Sequence, residues 1–435
     1  MPDHSASPRH ASSTAGAAAA ASSAAPGATS TAAARTPVIV SAARTPIGRF
    51  LGGLASLSAP ELGAIAIRAA VERAGVDPAA LQEVIMGNVV QGGVGQAPAR
   101  QAAIKAGVPP TVSAVTINKV CGSGLKAVML AAQAIRAGDA ALLVAGGQES
   151  MSNAPYYQYG ARTGYKLGDQ TLVDGVVRDG LWCSFCDVHM GGHAEYTARK
   201  AGVSRQAQDE FAVRSHQKAV SAMDAGRFAA EIVPVEIPGR KGPTVVAADE
   251  GPRRDSSLDA LTKLKPAFPK DAPRDMRPDD LTVTAGNASS LNDGASALVV
   301  ASEEYARAHG LPILARITAY ATGAVAPQDL FFAPVTAVRN LMRKEGRAIG
   351  DYDLIEANEA FASQALADGA ELGWDWDRVN VNGGAIALGH PIGASGARVL
   401  TTLLYAMRAR GAHTGLATLC LGGGDAVALS VERVA

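Results

Sequence analysis

The sequence has no long apolar run, few aromatic residues, few cysteines and no excess of charge of either sign. No stretch reaches the roughly 18 apolar residues of a membrane-spanning helix, because the alanine-rich candidates are interrupted by Lys, Gln or Gly. Lys plus Arg and Asp plus Glu both number 40, and no basic run is present to neutralise a phosphate backbone. We therefore expect neither a membrane nor a nucleic acid among the partners.

Four cysteines in 435 residues are too few for a disulfide framework, which favours a reducing compartment and predicts a cytoplasmic protein. With 48% hydrophobic and 18% charged residues, the composition is that of a globular chain rather than a disordered one. The length is about three times that of a typical domain, so we expect two or three domains or one large unit with two cores.

The first 36 residues differ in composition from the rest. They are almost entirely Ala, Ser, Thr, Pro, Gly and His, with Asp3 as the single acid. Such a segment cannot build a core, so residues 1–36 are predicted to be a disordered extension. A Ser-rich segment poor in acids also resembles an organellar transit peptide, but two arginines and no amphipathic period support this alternative only weakly.

From Pro37 onward, strand and helix signals alternate. A helix is predicted to begin after Ser58, with Glu61 completing a capping-box pattern, and to end at Gly75. Further strands are predicted at 37–42, 83–88, 113–118 and 140–145, and a further helix at 122–137. This alternation predicts an α/β fold with a mostly parallel sheet.

The last third of the chain repeats this order. The predicted strand that ends in Asn358 matches the one that ends in Asn88, and a strand at 379–382 matches the one at 113–118. Because five such matches occur in the same order, we predict duplicated α/β halves packed face to face. The predicted units are an N-terminal half (37–152 and 292–312), an inserted loop or lid domain (153–291) and a C-terminal half (313–435).

Cys121 lies where a predicted strand turns into a helix, in the run NKVCGSG at 118–124. At such a corner the thiol faces free backbone N–H groups and the positive end of the helix dipole, which lowers a thiol pKa and favours a nucleophile. A small buried residue at a tight corner is the alternative interpretation.

Three residues of the C-terminal half are candidates to assist this thiol. His390, in a glycine-rich stretch at 382–396, stands opposite Cys121 in the repeat and is the candidate base. Cys420 ends the counterpart strand before three glycines and is a candidate acid or base. Asn358, at another strand end, is a candidate to hold a water or donate to an oxyanion.

These runs resemble the signatures of the thiolase family, which are spread over the chain from Pro37 to its end. The motifs are NKVCGSG at 118–124, NEAF at 358–361, GGAIALGHPIGASG at 383–396 and CLGGG at 420–424. The resemblance implies the thiolase-like fold, in which duplicated halves form five αβαβα layers with an inserted lid. HMG at 189–191 is more like the short-chain, acetoacetyl-CoA type than the long-chain degradative type.

The resemblance implies a reversible Claisen condensation of two acetyl-CoA, or thiolysis of a short 3-ketoacyl-CoA. Cys121 would carry the acyl group as a thioester and His390 would activate its thiolate. Cys420 would deprotonate the second acetyl-CoA. Asn358, through a water, and His390 would hold its thioester oxygen, while the amides of Cys121 and Gly422 would stabilise the acyl-enzyme oxyanion. Coenzyme A and acetyl-CoA would be substrates, and no tightly bound cofactor or metal would be required.

The resemblance also assigns a coenzyme A channel and an assembly. The channel residues would be His189, Met190, Arg253, Ser289, Ala360 and Phe361. Arg253 would approach the nucleotide phosphates, although a solvated surface arginine is an equal alternative. The stretch Tyr156–Thr171 would support a homotetramer, and the activity would belong to fatty acid metabolism. Leu330–Phe332 is predicted to tune which acyl groups are accepted.

Several alternatives stay open at this stage. A degradative thiolase of broader chain length, a ketoacyl synthase of the same fold and a non-catalytic acyl-CoA carrier each remain, although all four motifs are intact. Asp425, just after the glycines, is predicted to perturb Cys420. The spacing of Cys183, Cys186 and His193 in the inserted segment resembles a zinc site, and a redox-sensitive cysteine pair is a second interpretation.

Overall fold

The computed structural model describes residues 35–240 and 242–434. The predicted extension, residues 1–36, therefore falls outside the described residues except for Arg35 and Thr36. The strands are β1 (Pro37–Arg44), β2 (Gly48–Arg49), β3 (Glu83–Gly87), β4 (Ser113–Ile117), β5 (Leu142–Ser150), β6 (Tyr156–Tyr157), β7 (Val173–Asp174), β8 (Trp182–Cys183), β9 (Val188–His189), β10 (Val235–Ile237), β11 (Thr244–Val246), β12 (Asn292–Ser302), β13 (Ala315–Ala324), β14 (Leu354–Ala357), β15 (Thr414–Leu421) and β16 (Asp425–Glu432).

The helices complete the framework. They are α1 (Ala59–Ala74), α2 (Pro98–Lys105), α3 (Ser123–Ala137), α4 (Met190–Ala201), α5 (Arg205–Asp224), α6 (Leu258–Thr262), α7 (Glu303–Ala308), α8 (Ala333–Glu345), α9 (Ala362–Leu372), α10 (Ala385–Leu388) and α11 (Ile392–Arg410). No helix among the described residues combines the length and hydrophobicity that crossing a bilayer requires.

One mixed sheet runs through both halves in the order β14-β15-β16-β13-β1-β12-β5-β3-β4. Most of its strand pairs are antiparallel, so the prediction of a mostly parallel sheet is wrong. Read from each side toward the middle, β3-β5-β12-β1 and β14-β15-β16-β13 have the same pattern of one parallel pair followed by antiparallel neighbours. The halves join where β1 pairs with β13. This symmetry confirms the predicted duplication of α/β halves, whereas the exact residue bounds of the units stay a prediction.

The structure confirms the predicted limits of α1 but not the predicted strand at 379–382. The Glu61 carboxylate accepts hydrogen bonds from the Ser58 N–H at 2.9 Å and the Ser58 hydroxyl at 2.6 Å, and Gly75 ends α1 with a φ of 67°. The predicted strand at 379–382 is wrong, because only Val379 makes a single parallel bridge, to Ile355. That bridge occupies the place that β4 holds beside β3 in the other half.

The inserted segment is fixed to the sheet by a buried cluster of charges. Arg44, at the end of β1, donates to Glu231 at 2.6 Å and to Asp249 at 2.7 Å and 2.9 Å. The three side chains are at most 1% exposed. Because removing one partner would leave an uncompensated buried charge, this cluster favours one position of the insertion against β1.

Candidate active site

A cavity of about 460 Å³ gathers most of the predicted site residues from both halves and from the insertion. Ten of the eleven line it: Cys121, His189, Met190, Arg253, Ser289, Ala360, Phe361, His390, Cys420 and Gly422. Asn358 does not line the cavity and lies behind His390 instead. Residues nearly 300 positions apart in the chain thus line the same cavity.

Cys121 is presented on a strained turn between β4 and α3. Val120, a β-branched residue, has a φ of 46°, a conformation that such residues avoid. Two side chains hold the turn. The Asn118 side-chain Oδ1 accepts from the Val120 N–H at 3.0 Å, while the Ser123 hydroxyl accepts from the Lys119 N–H at 2.8 Å and donates to the Val120 carbonyl at 2.6 Å. The motif therefore encodes a fixed elbow that places the thiol before the N-terminus of α3.

Gly124 explains how the two halves come so close behind the thiol. A Cβ atom at this position would lie 2.6 Å from the Ala397 backbone nitrogen of α11. Because no side chain stands there, α3 packs directly on α11, and both are buried along most of their length. Both helices therefore lie in the interior of the protein.

The resting thiol of Cys121 is neutral. Burial raises its pKa to about 12, although the N–H groups of Cys121 itself and of Gly422 act in the opposite direction. The amides thus lower the pKa, as the sequence predicted, but the net direction is the opposite of the predicted one because desolvation outweighs the amides. The same two amides are nevertheless placed beside the sulfur, where they can stabilise an oxyanion on the attacked carbon.

His390 has one nitrogen fixed by the protein and one left free. The Ser395 hydroxyl donates to the Pro391 carbonyl at 2.9 Å and lies 2.6 Å from the His390 Nδ1. With the hydroxyl proton directed at the Pro391 carbonyl, the Ser395 oxygen accepts from Nδ1–H, and this tautomer leaves Nε2 as the unprotonated acceptor. Nε2 is buried without a partner among the described residues, so His390 is oriented to take a proton.

The electrostatic surroundings keep His390 neutral until reaction. Burial, together with the charge of Arg398, lowers its pKa to about 3. The same cavity thus holds a neutral imidazole and a neutral thiol at rest. The pair is therefore not a resting ion pair.

Cys420 closes the opposite side of the cavity. It is 1% exposed and packs in an apolar cluster with Phe331, Ala360 and Phe361. Burial raises its pKa well above the usual value, with Cys121 and Asp368 adding to the effect. The prediction that Asp425 perturbs this thiol is wrong, because Asp425 is paired with Lys119 and the acid that acts on Cys420 is Asp368.

Asn358 is buried at the end of β14, with its side chain between two charged or polar groups. Its Nδ2 lies 3.5 Å from the His390 Nδ1, and its Oδ1 lies 3.5 Å from an Arg398 guanidinium nitrogen. The predicted role of Asn358, to hold a water for the substrate oxygen, remains a prediction.

The end of the cavity near Phe331 and Phe361, which is predicted to hold the acyl group and is called the acyl end below, is lined by aromatic rings. The Phe361 ring meets the Phe331 ring edge to face at 5.3 Å, and the Ser289 N–H donates to the Ala360 carbonyl at 3.0 Å. His189 caps α4, since its Nδ1 accepts from the Gly191 N–H at 3.0 Å. Two of the predicted channel residues, Ser289 and Ala360, are thus in direct contact.

A second cavity of about 420 Å³ adjoins the first and shares five lining residues with it: Arg253, Ala285, Ala288, Ser290 and Leu291. Arg49 and His216 also line this outer space. Arg253 is exposed at the junction, so it is placed to meet an anionic group outside the catalytic cavity. Sequence reasoning missed Arg49, which lies in the RTPIGRF run of the chain.

Glu149, at the end of β5, is a positioning residue that sequence reasoning missed. Its fully buried carboxylate accepts from the Asn88 side chain at 2.6 Å and from the N–H groups of Val89, Val90 and Gly393 at 3.0, 3.1 and 2.8 Å. Burial raises its pKa to about 7 against these four donors. The carboxylate ties the loop after β3 to the start of α11, beside His390.

Replacing Glu149 by glutamine is expected to lower stability by about 2–5 kcal/mol, because an amide oxygen cannot satisfy four donors and its own NH₂ faces them. The measurement is chemical denaturation between pH 5 and pH 8. Because the folded chain raises the pKa of Glu149 to about 7, the unmodified protein should lose stability as the pH rises over this range, whereas the glutamine variant should not show this loss. Glu72→Gln on the exposed face of α1 is the matched control. Equal stability of both variants would show that the four contacts do not hold the two loops together.

Comparison with known proteins agrees with this architecture. The family models described as thiolase, N-terminal domain, and thiolase, C-terminal domain, match residues 37–304 and 311–433. The chain is 57% identical over 397 residues to an acetyl-CoA acetyltransferase of Pseudomonas aeruginosa, covering 91% of this chain and 99% of that protein.

Two further relatives support the same assignment. An acetyl-CoA acetyltransferase of Cupriavidus necator is 56% identical over 397 residues, with 91% of this chain and 99% of that protein covered. A crystal structure of the Bacillus anthracis acetyl-CoA acetyltransferase matches with a TM-score of 0.89 at 41% identity, covering 93% of this chain and 100% of that chain. This chain belongs to the thiolase family.

Proposed function

We propose that this protein is an acyltransferase that interconverts two acetyl-CoA with acetoacetyl-CoA and coenzyme A through an acyl-cysteine. The observation that carries the proposal is the convergence of Cys121, His390 and Cys420 on one cavity. The names of the relatives from Pseudomonas aeruginosa and Cupriavidus necator support it. A ketoacyl synthase or a carrier without catalysis has no comparable support.

The resting protonation states define the first half of thiolysis. Cys121 passes its proton to the His390 Nε2 as its sulfur attacks the 3-keto carbon of acetoacetyl-CoA, and the N–H groups of Cys121 and Gly422 stabilise the oxyanion. The bond between C2 and C3 then breaks, leaving an acetyl group on Cys121 and the enolate of acetyl-CoA. The neutral Cys420 thiol protonates that enolate, and acetyl-CoA departs.

The second half restores every proton. Once acetyl-CoA has left, the proton on His390 passes to the Cys420 thiolate, which returns both groups to their resting state. His390 then takes the proton of an incoming coenzyme A thiol as its sulfur attacks the acetyl-Cys121 carbonyl. When the tetrahedral intermediate collapses, the Cys121 sulfur leaves and recovers its proton from His390. Condensation follows the same steps in reverse, with the Cys420 thiolate removing a methyl proton from acetyl-CoA.

The acyl end of the cavity supports a short-chain substrate. Leu330, Phe331 and Phe361 close this end, and Leu330 and Phe331 are at most 2% exposed. We expect the initial rate of thiolysis to be highest for acetoacetyl-CoA and to fall steeply as the 3-ketoacyl chain lengthens. The assay is the coenzyme A-dependent loss of each 3-ketoacyl-CoA, with Cys121→Ala as the blank.

A pair of variants links this specificity to the cavity wall. Phe331→Ala is expected to raise the relative rate on a six-carbon substrate by about 10-fold, since removing a ring wall is worth 1–3 kcal/mol of discrimination. Phe332→Ala is the matched control, because its ring lies 5.1 Å from the Lys200 Nζ and does not line the cavity. Comparable rates on long and short chains in the unmodified protein would instead identify a broad degradative thiolase.

We further propose that the protein is cytoplasmic, acts in fatty acid metabolism and assembles as a homotetramer. The predicted assembly stretch, Tyr156–Thr171, carries several exposed apolar side chains. Tyr156, Tyr159 and Leu167 are each more than half exposed in the single chain. Contact with other copies would cover this surface.

A further inference from the structure

A second cluster of cysteine and histidine side chains lies outside the catalytic cavity. The ligand atoms of Cys183, Cys186 and His193 are all within 4.8 Å of one another. Cys183 and His193 are each 2% exposed. None of the three lines the catalytic cavity or takes part in the proposed mechanism. The cluster therefore needs a separate explanation.

The His193 side chain points to a missing ligand. Its Nε2 is buried and has no hydrogen-bond partner among the described residues. A buried nitrogen without a partner is costly, and it belongs here to a ring that lies within 4.8 Å of two thiol sulfurs.

The two cysteines are held by a tight hairpin between β8 and β9. The Asp187 N–H donates to the Cys183 carbonyl at 2.8 Å, and Asp187 has a φ of 54°, so the chain reverses sharply after Cys186. This reversal places both sulfurs of the C-x-x-C run on the side where α4 presents His193. Two thiolates and an imidazole are a donor set that suits zinc.

We propose that Cys183, Cys186 and His193 bind one Zn²⁺ per chain. On binding, each thiol loses its proton to solvent and forms a bond to the metal, with no change in oxidation state. The three side chains supply three of the four positions that zinc usually fills, and water can take the fourth. No acyl-transfer step depends on this site.

The hairpin between β8 and β9 connects the proposed metal site to the catalytic cavity. Phe185, between the two cysteines, lies so close to Gly423 that a Cβ on that glycine would be 3.2 Å from the Phe185 ring. His189, at the end of β9, lines the cavity itself. Bound zinc would therefore stiffen the hairpin that contacts the loop after Cys420.

The test is metal binding by the full-length chain, reduced and stripped with a chelator. Cys121→Ala/Cys420→Ala serves as the parent, because it removes the catalytic thiols that could also bind zinc. We expect one Zn²⁺ per chain by competition with a chromophoric chelator. Co²⁺ should give thiolate charge-transfer and tetrahedral d–d absorption bands in this parent. Adding Cys183→Ser or His193→Ala should weaken binding by about 100-fold or more.

Several results would overturn the proposal. One is a parent that binds no zinc, and another is binding that Cys186→Ser and His193→Ala leave unchanged. A Cys183–Cys186 disulfide that forms in air, in a chain whose reduced form binds no zinc, would identify a redox pair instead. Each variant is also made in the otherwise unmodified chain, where retained thiolysis activity shows that the fold survives and separates this test from that of the proposed function.

Discussion

Cys121→Ala is expected to reduce thiolysis of acetoacetyl-CoA by about 10⁴-fold or more, equivalent to roughly 5 kcal/mol of transition-state stabilisation. The variant removes the sulfur that becomes bonded to the acyl group, and the wall of the cavity offers no replacement at the same place. Cys420 is buried on the opposite side and has no elbow or second amide beside it. The measurement is the initial rate at saturating coenzyme A.

Controls must show that Cys121→Ala loses its catalytic thiol and keeps its fold and its coenzyme A binding. Thermal unfolding and coenzyme A binding should match those of the unmodified protein, because the elbow is held by Asn118 and Ser123 rather than by the thiol. Met190→Leu, a near-isosteric change in the same cavity, is the control and should retain most of the activity. A Cys121→Ala enzyme with a tenth or more of the normal rate would contradict the covalent mechanism.

Cys420→Ala is expected to lower turnover by about 10²–10⁴-fold, the usual contribution of a general acid or base. Its effect differs in kind from that of Cys121→Ala. Attack by Cys121 depends on His390, so the variant should still be acetylated by acetyl-CoA. The step that protonates the departing enolate, or removes the methyl proton in condensation, should fail because Cys420 is the thiol placed to do it.

Two half-reactions distinguish this account from simple loss of packing. Exchange of labelled coenzyme A into acetyl-CoA needs only acyl transfer, whereas exchange of the acetyl-CoA methyl protons with deuterated water needs the enolate step. We expect Cys420→Ala to slow the methyl exchange much more than the acyl exchange. Equal loss of both would show that Cys420 supports the cavity rather than transferring protons.

Much of the fold could be predicted from patterns within short stretches of the sequence. The limits of α1 follow from side-chain contacts between Ser58 and Glu61 and from the positive φ at Gly75, and such contacts involve neighbouring residues only. Strand β12 was not predicted as an element, although it lies fully buried between β1 and β5. Its polar start, Asn292-Asp293-Gly294, gives no strand pattern because tertiary contacts satisfy these polar groups.

The candidate site was predictable where chemistry is concentrated in motifs and unpredictable where it depends on distant partners. Cys121 and Cys420 were identified from strand ends followed by glycines, and the structure brings them to one cavity. The buried donors around Glu149 come from two segments about 300 residues apart, 88–90 and Gly393, so no local pattern reveals them. Ser395 stands in the histidine motif, but its role appears only once its distances to Pro391 and His390 are known.

The pKa of Cys121 is another property that depends on distant parts of the chain and was not predicted correctly from the local sequence. The position before a helix is visible in the sequence, and its effect on a thiol is real but modest. The extent of burial depends on how both halves and the insertion close over the site, and it outweighs the helix at rest. A sequence can thus indicate the nucleophile without indicating its resting protonation state.

The covalent intermediate on Cys121 is the central claim, and it can be observed directly. The enzyme is mixed with acetoacetyl-CoA without free coenzyme A, quenched in acid, digested and analysed by mass spectrometry. We predict one acetyl group, as a thioester, on the peptide that contains Cys121, and its removal when coenzyme A is added before the quench. Acetylation of Cys420 instead, or steady turnover with no acetylated cysteine, would contradict the account.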